Sequence, residues 1–300
     1  MPQLTDHPAD NLAIQHVSDT ALWVAHYRAV ETERPDALFR DPLAKILVGE
    51  RGRKIAESMK ATSRFTKWTV VIRTCIIDSF IQQLTKEGQN AGDSVDTVIN
   101  LGAGLDTRPY RLKLPKKVRW IEVDYPHVIE HKEKLLGSET PGVQLERIAL
   151  DLADRQKRQE LFARLGSQSQ KALILTEGVI PYLTEEQVAT LAEDLHSQKN
   201  FRFWIAEYFA PWVYRHLRHS GRMKKMKNAP FQFFPADWFD FFKRGGWKPE
   251  EIRYFAEETQ KLGRKSPMPW WFSLIRPFMN REKLRQMGKM SGYVLYTKIE

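Results

Sequence analysis

Three hundred residues, 42% hydrophobic and 28% charged, can bury one full core, or one domain with a cap. No run of about eighteen apolar residues offers a transmembrane helix, and the first residues lack both the basic and the apolar part of a secretory signal. The single cysteine, Cys75, rules out an internal disulfide, argues against a structural zinc site and points to a reducing, cytoplasmic setting; the net charge of +10 reads as solvated helix faces, so nucleic acid is not the expected partner.

In chain order, residues 1–90 read as a helical cap. Ser18-Asp19-Thr20 can cap a helix running to Val30, and Arg34-Pro35-Asp36 breaks it. Pro42 suits the first turn of the next helix. Phe65 to Leu84 carries Val70, Val71, Ile72, Ile76, Ile77, Phe80 and Ile81 near helical period, with Arg73 among them as a charge in need of a partner. Gly88 to Ser94 is a polar linker into residues 91–208, where apolar runs and helical patterns alternate. Strands are expected near 96–101, 118–123, 143–149, 172–177 and 201–207, and helices near 106–112, 126–136, 155–165 and 184–196. Such alternation predicts a mostly parallel sheet covered on both faces. Thr184-Glu185-Glu186-Gln187 has the form of a capping box.

Beyond 208 the pattern changes to a lid or substrate region over 209–292. Pro211 to Asn228 is a basic, aromatic helix candidate, Phe231 to Pro235 an apolar turn, and Ala236 to Arg244 a short helix stopped by Gly245-Gly246. Glu251 to Phe255 and a last strand, Tyr293 to Ile299, flank a proline-interrupted segment with Trp270-Trp271-Phe272, read as pocket or core.

Ligands of open α/β sheets bind outside the carboxyl ends of the strands. Those ends read Gly102 and Gly104, then Glu122 and Asp124, then Asp151-Leu152, then Glu177-Gly178. Gly102-Ala103-Gly104 suits a tight turn with close backbone approach, and Asp124 can accept from ribose hydroxyls. Asp151 can bond an adenine amino group while Leu152 packs the ring. Thr107 stands where a dinucleotide fingerprint has its third glycine. Its presence counts against NAD or FAD and suits a cofactor without phosphates, such as S-adenosylmethionine.

The stretch Asn100-Leu101-Gly102-Ala103-Gly104-Leu105-Asp106-Thr107-Arg108-Pro109-Tyr110-Arg111-Leu112 resembles the first motif of the leucine carboxyl methyltransferase family. Thr20-Ala21, Arg34 to Ala44, Glu122-Val123-Asp124-Tyr125-Pro126, Asp151-Leu152 and Thr176-Glu177-Gly178-Val179-Ile180-Pro181-Tyr182-Leu183 match in the same order. The resemblance implies a Rossmann-like class I methyltransferase: a seven-stranded, mostly parallel sheet with an antiparallel last strand, a helical N-terminal cap and a C-terminal lid. It implies that Gly102 and Gly104 approach S-adenosylmethionine, Asp124 binds ribose with Glu122 nearby, and Asp151 and Leu152 hold adenine. Glu177 would face the methionyl end, Arg73 would pair with its carboxylate, and Tyr182 would line the transfer site.

An oxygen nucleophile aligned with the sulfonium methyl is the expected chemistry. A carboxylate is ionised at neutral pH and needs no general base, whereas a phenol does. No dedicated base is apparent beside the motifs, which favours a carboxylate of a small molecule or peptide terminus. The alternatives are a non-catalytic adenosine-binding protein and an RNA methyltransferase. His127-Val128-Ile129-Glu130-His131 has the spacing of an inverted zinc-peptidase motif, but no further ligand is evident, so no metal is expected.

Overall fold

The computed structural model describes residues 18–58, 63–86, 94–213, 230–265, 267–268, 274 and 278–300. Most of the basic segment expected as a helix over 211–228, and Trp270-Trp271-Phe272, lie outside the described residues.

Short β-branched and aliphatic runs form the centre. The strands β1 (Thr97–Leu101), β2 (Arg119–Asp124), β3 (Gln144–Ala149), β4 (Ala172–Thr176) and β5 (Phe201–Phe209) pair in parallel with one another. Two more, β6 (Trp247–Tyr254) and β7 (Ser291–Lys298), complete a seven-stranded sheet in the order β3-β2-β1-β4-β5-β7-β6, with β7 antiparallel to both neighbours. The expected class I arrangement is therefore the observed one. Order reverses between β1 and β4, and a crevice opens at the carboxyl ends there.

Both sheet faces are covered, as the continuous apolar runs require. Ile99, Leu101, Ile174 and Trp204 on one face pack with Phe162 and Leu165 of α6 (Arg155–Gln168) and with Leu191 and Leu195 of α7 (Glu185–His196). Val98, Leu173, Leu175 and Ile205 on the other face pack with Ile72, Ile76 and Phe80 of α3 (Ser63–Thr85). The apolar stripe read in α3 is thus the cover of one sheet face. The capping box holds: Thr184 Oγ1 accepts from the Gln187 N–H at 3.2 Å, and Gln187 Oε1 accepts from the Thr184 N–H at 2.9 Å.

The N-terminal helices α1 (Asp19–Thr32) and α2 (Pro42–Ser58, kinked at Gly49) pack with α5 (Pro126–Leu136) through Leu22, Trp23, Leu47, Ile55, Val128 and Leu136. Ser18 precedes α1, but its hydroxyl meets His127 Nε2 at 3.0 Å and makes no capping bond to the helix backbone.

The largest departures from the expected boundaries lie at the edge strand β6. β6 starts at Trp247, earlier than Glu251, because an edge strand tolerates Pro249, where the register shifts. Phe255, expected as the last residue of this strand, instead opens a helix to Lys261. No helix among the described residues is long and apolar enough to cross a membrane.

Candidate functional site

The carboxyl ends of β3, β2, β1, β4, β5 and the start of β7 border one cavity of about 530 Å³, within the ~300–1,000 Å³ usual for small-molecule sites. Thr20, Ala21, Val24 and Arg28 of α1 and Thr66, Thr69 and Arg73 of α3 close it from the cap side.

The glycine turn forms the middle of the cavity. Gly102 has φ +66° and Gly104 φ +48°, the left-handed region that side chains resist. A Cβ on Gly102 would lie 2.6 Å from Val179 Cγ2, so this backbone has no room for one. The turn is tied to β2, because the N–H groups of Gly102 and Ala103 donate to the Val123 carbonyl at 2.8 and 3.2 Å. Asp124 completes the tie: its Oδ2 accepts from the Gly104 N–H at 2.6 Å and its Oδ1 from the Tyr125 N–H at 2.7 Å. Burial pushes the Asp124 carboxyl above its ordinary range against these two backbone donors. The helix after the turn, α4 (Arg108–Arg111), is a single turn with Thr107 buried at its start. It offers no extended phosphate-binding N-terminus.

Glu122 needs correction as a cofactor residue. It shares a strand face with Asp124 but lies two residues deeper, fully buried, and does not border the cavity. Lys132 Nζ is 2.7 Å from its Oε1 and Arg147 Nε 2.9 Å from its Oε2. Asp151, in contrast, borders the cavity beside Leu152. Its Oδ1 accepts from the Ala153 N–H at 2.9 Å, which fixes the loop and leaves Oδ2 outside that bond.

Glu177 and Arg73 are brought together, with Arg73 Nε 2.8 Å from Glu177 Oε1. A residue to which the sequence reading assigned no role, Arg108, reaches Glu177 Oε2 at 2.7 Å while also meeting Asp78 at 2.7 Å and Asp106 at 2.8 Å. Burial opposes ionisation of Glu177, but Arg108 and Arg73 outweigh it and hold the carboxyl below the usual glutamate range. Asp106 is likewise opposed by burial and held well below the aspartate range by Arg108. Gly178, at φ +72°, turns the chain into a 3-10 turn, Ile180–Tyr182, that brings Tyr182 to the cavity against the Phe231 ring, centroids 5.2 Å apart.

Two further cavity residues escaped the sequence reading. Glu207, near the end of β5, accepts from the Gly178 N–H through Oε1 and has no partner at Oε2. Tyr293 of β7 is its register partner, and its hydroxyl has none either. Burial pushes the Glu207 carboxyl up to about 7. The signal was weaker than in β2 and β4: Glu207 interrupts an apolar run that continues through Tyr208-Phe209-Ala210, so it does not stand at the strand's end.

His127 meets Ser18 and His131 Nε2 meets the Leu47 carbonyl at 3.1 Å, which accounts for the zinc-like spacing as helix docking. Among the described residues no group of three or more His, Cys, Asp or Glu could hold a metal ion.

The family model for leucine carboxyl methyltransferase matches residues 21–196. A Streptomyces coelicolor protein described as a candidate S-adenosyl-L-methionine-dependent methyltransferase is 33% identical over 192 residues, 60% of this chain and 64% of its own. The match thus spans just under two thirds of that relative. A Frankia alni protein described in the same way is 27% identical over 259 residues, 83% of this chain and 90% of its own. Among solved structures, a DUF574-family protein from Streptomyces avermitilis superposes with a TM-score of 0.56 at 13% identity, covering 91% of this chain and 96% of its own. A candidate methyltransferase from Thermobifida fusca gives 0.54 at 14% identity, covering 85% and 93%. At such identities the likeness is one of fold.

Proposed function

The chain belongs to the leucine carboxyl methyltransferase family, and from that premise we propose that it transfers the methyl group of S-adenosylmethionine to an oxygen of a small molecule or peptide terminus. The observation that carries this reading is the sequence of cavity groups along the strand ends: Asp151, Asp124, Gly102, Glu177, Glu207. It runs from hydrogen-bonding groups suited to adenosine, through a close-approach glycine, to buried ionic groups suited to a zwitterionic tail. The single-turn α4 and the buried Thr107 fit a ligand without phosphates.

When bound, the cofactor supplies an activated sulfonium methyl. In this reading Leu152 and Asp151 hold adenine, and Asp124, fixed by two backbone N–H groups, accepts from ribose. Gly102 and Gly104 let the main chain approach the methionyl part, while Arg73 and Glu177 receive its charged ends. Arg73 already lies against Glu177, so it would hold the cofactor carboxylate as an arginine that is already paired. Tyr182 and Phe231 exclude water from the far side. Positioning of this kind can supply about 7–11 kcal/mol of the barrier.

The sequence favours a carboxylate acceptor because it shows no base. Glu207 removes that ground, since a buried acid with a free oxygen borders the cavity. A carboxylate and a hydroxyl therefore both remain within the proposed reaction. Calorimetry with S-adenosylmethionine and S-adenosylhomocysteine tests the cofactor step; heat-silent mixing of both at millimolar concentration overturns it. Cofactor binding without transfer to carboxylates, phenols, alcohols or RNA would favour the non-catalytic alternative.

A further inference from the structure

The sheet order acts as a ruler. Adjacent strands lie about 4.8 Å apart, so β5 stands roughly 10 Å from β1, on the side away from β2 and β3. If adenosine occupies the β3 and β2 ends, the groups beyond Glu177 face whatever approaches the transferred methyl from the opposite side. Those groups are Glu207 and Tyr293, opposite one another across β5 and β7. The two residues are 4% and 1% exposed, and each keeps one polar oxygen without a partner while bordering the cavity. Buried polar oxygens left unsatisfied are costly, so a ligand that satisfies them is the expected occupant.

Resting on the proposed methyl transfer, we propose that Glu207 takes the proton of a neutral hydroxyl acceptor, so that the substrate class is an alcohol or phenol and the product an ether. Tyr293 positions the same oxygen. The balance is complete: an acceptor lone pair forms the new O–CH3 bond and the S–CH3 bonding pair stays on sulfur. The O–H proton moves to Glu207 Oε2. A sulfonium and a carboxylate become a sulfide and a carboxylic acid, and such loss of charge is favoured beside buried groups of low local dielectric. A carboxylate acceptor would need no base and would bring a second negative charge beside Glu207.

The charged and titratable groups facing Glu207 are Arg73 from α3, Glu177 from β4 and Tyr293 from β7, with Arg108 behind Glu177. Glu177 is held ionised by its arginines, and Tyr293 is driven well above the ordinary phenol range by burial, so Glu207 is the group among them that changes charge near neutrality.

The test is the ratio of Kd for S-adenosylhomocysteine to Kd for S-adenosylmethionine, measured by calorimetry on the full chain from about pH 5.5 to 8.5. Only the latter carries the sulfonium charge, so groups common to both ligands cancel. If Glu207 faces the methyl, the ratio rises about tenfold across this range, the equivalent of one pKa unit of coupling, and becomes flat in Glu207→Gln. A flat ratio in the wild-type protein overturns the inference without any variant, whereas failure of both ligands to bind overturns the methyltransferase reading itself. Transfer of radiolabelled methyl to matched naphthols and naphthoic acids reads the acceptor. Base-stable ethers whose formation drops at least 100-fold in Glu207→Gln support the inference. Base-labile esters whose formation survives that substitution overturn it.

Discussion

Arg108 places its Nη1 2.7 Å from Glu177 and its Nε 2.7 Å from Asp78, so one guanidinium joins the end of β4 to the cap helix α3. Asp106 adds a third carboxylate at 2.8 Å, and Arg111 shares Asp78 at 2.6 Å. The cluster is almost closed to water, and its worth lies in being complete. Removing one partner from a buried ionic network leaves the others uncompensated and costs about 3–5 kcal/mol.

Arg108→Met should therefore lower unfolding free energy by about 3–5 kcal/mol in urea titration, with cofactor affinity reduced as Glu177 keeps only its Arg73 partner. Arg108→Lys restores charge but not the fork that meets three acids, so it should recover only part of the loss. A decrease below about 1 kcal/mol for the methionine variant would show the cluster to be dispensable.

At the glycine turn, two separate costs can be resolved. Gly102→Ala adds a Cβ 2.6 Å from Val179 Cγ2 at φ +66°. The left-handed backbone costs about 1–2 kcal/mol for alanine, and the overlap about 1–3 kcal/mol more. Val179→Ala in the same chain relieves only the overlap. The double variant should bind S-adenosylmethionine more tightly than Gly102→Ala yet more weakly than Val179→Ala. Equal affinities for the double variant and Val179→Ala would mean that the backbone at Gly102 bears no strain.

Asp124 is both a brace and a proposed ligand, and two substitutions separate these roles. Asp124→Asn keeps one oxygen acceptor for the Gly104 or Tyr125 N–H but loses the charge; Asp124→Ala loses both acceptors. Affinity for S-adenosylhomocysteine should fall at least about 100-fold in the alanine variant, as expected from roughly 3 kcal/mol of lost charge-assisted bonds, and less in the asparagine variant. Unchanged calorimetric affinity in Asp124→Ala would withdraw the ribose assignment.

The parallel centre of the fold is readable because β1, β2, β4 and β5 are apolar runs that are largely buried and bounded by turn residues, whereas the edge strand β3 carries Gln144, Glu146 and Arg147 and is only partly buried. At the periphery this signal fails. Trp247-Lys248-Pro249-Glu250 pairs only through one edge, so it carries exposed charge and a proline that a central strand would refuse. Strand-end acids located the cavity, but alternation alone could not separate Glu122 from Asp124, which point to the same side of β2. Depth decides between them: the deeper acid meets Lys132 and Arg147, and the terminal one meets the turn. Arg108 was invisible as a hub because its partners come from residues 78 and 177, far apart in the chain.

Stability against pH offers a check on Glu207 that needs no ligand. Its folded carboxyl is pushed up to about 7 by burial, above the unfolded glutamate value of about 4.5. Between these values the folded chain holds a proton that the unfolded chain has released, so this group's stabilisation is full below about pH 4.5 and is lost as pH rises through about 7. Glu177 and Asp106 act with the opposite sign: their carboxyls are held low in the folded chain, so their contribution is present above the unfolded values near 4 and is lost as pH falls. Wild-type stability should then be greatest on the mildly acid side of neutrality. Glu207→Gln carries no titrating group, so its unfolding free energy relative to wild type should improve from pH 5 to about pH 7 and level off by pH 8. Denaturant titrations of both proteins at intervals across that range measure the difference directly. A constant difference would mean that Glu207 titrates in the folded chain as it does in water, and that its second oxygen is solvated.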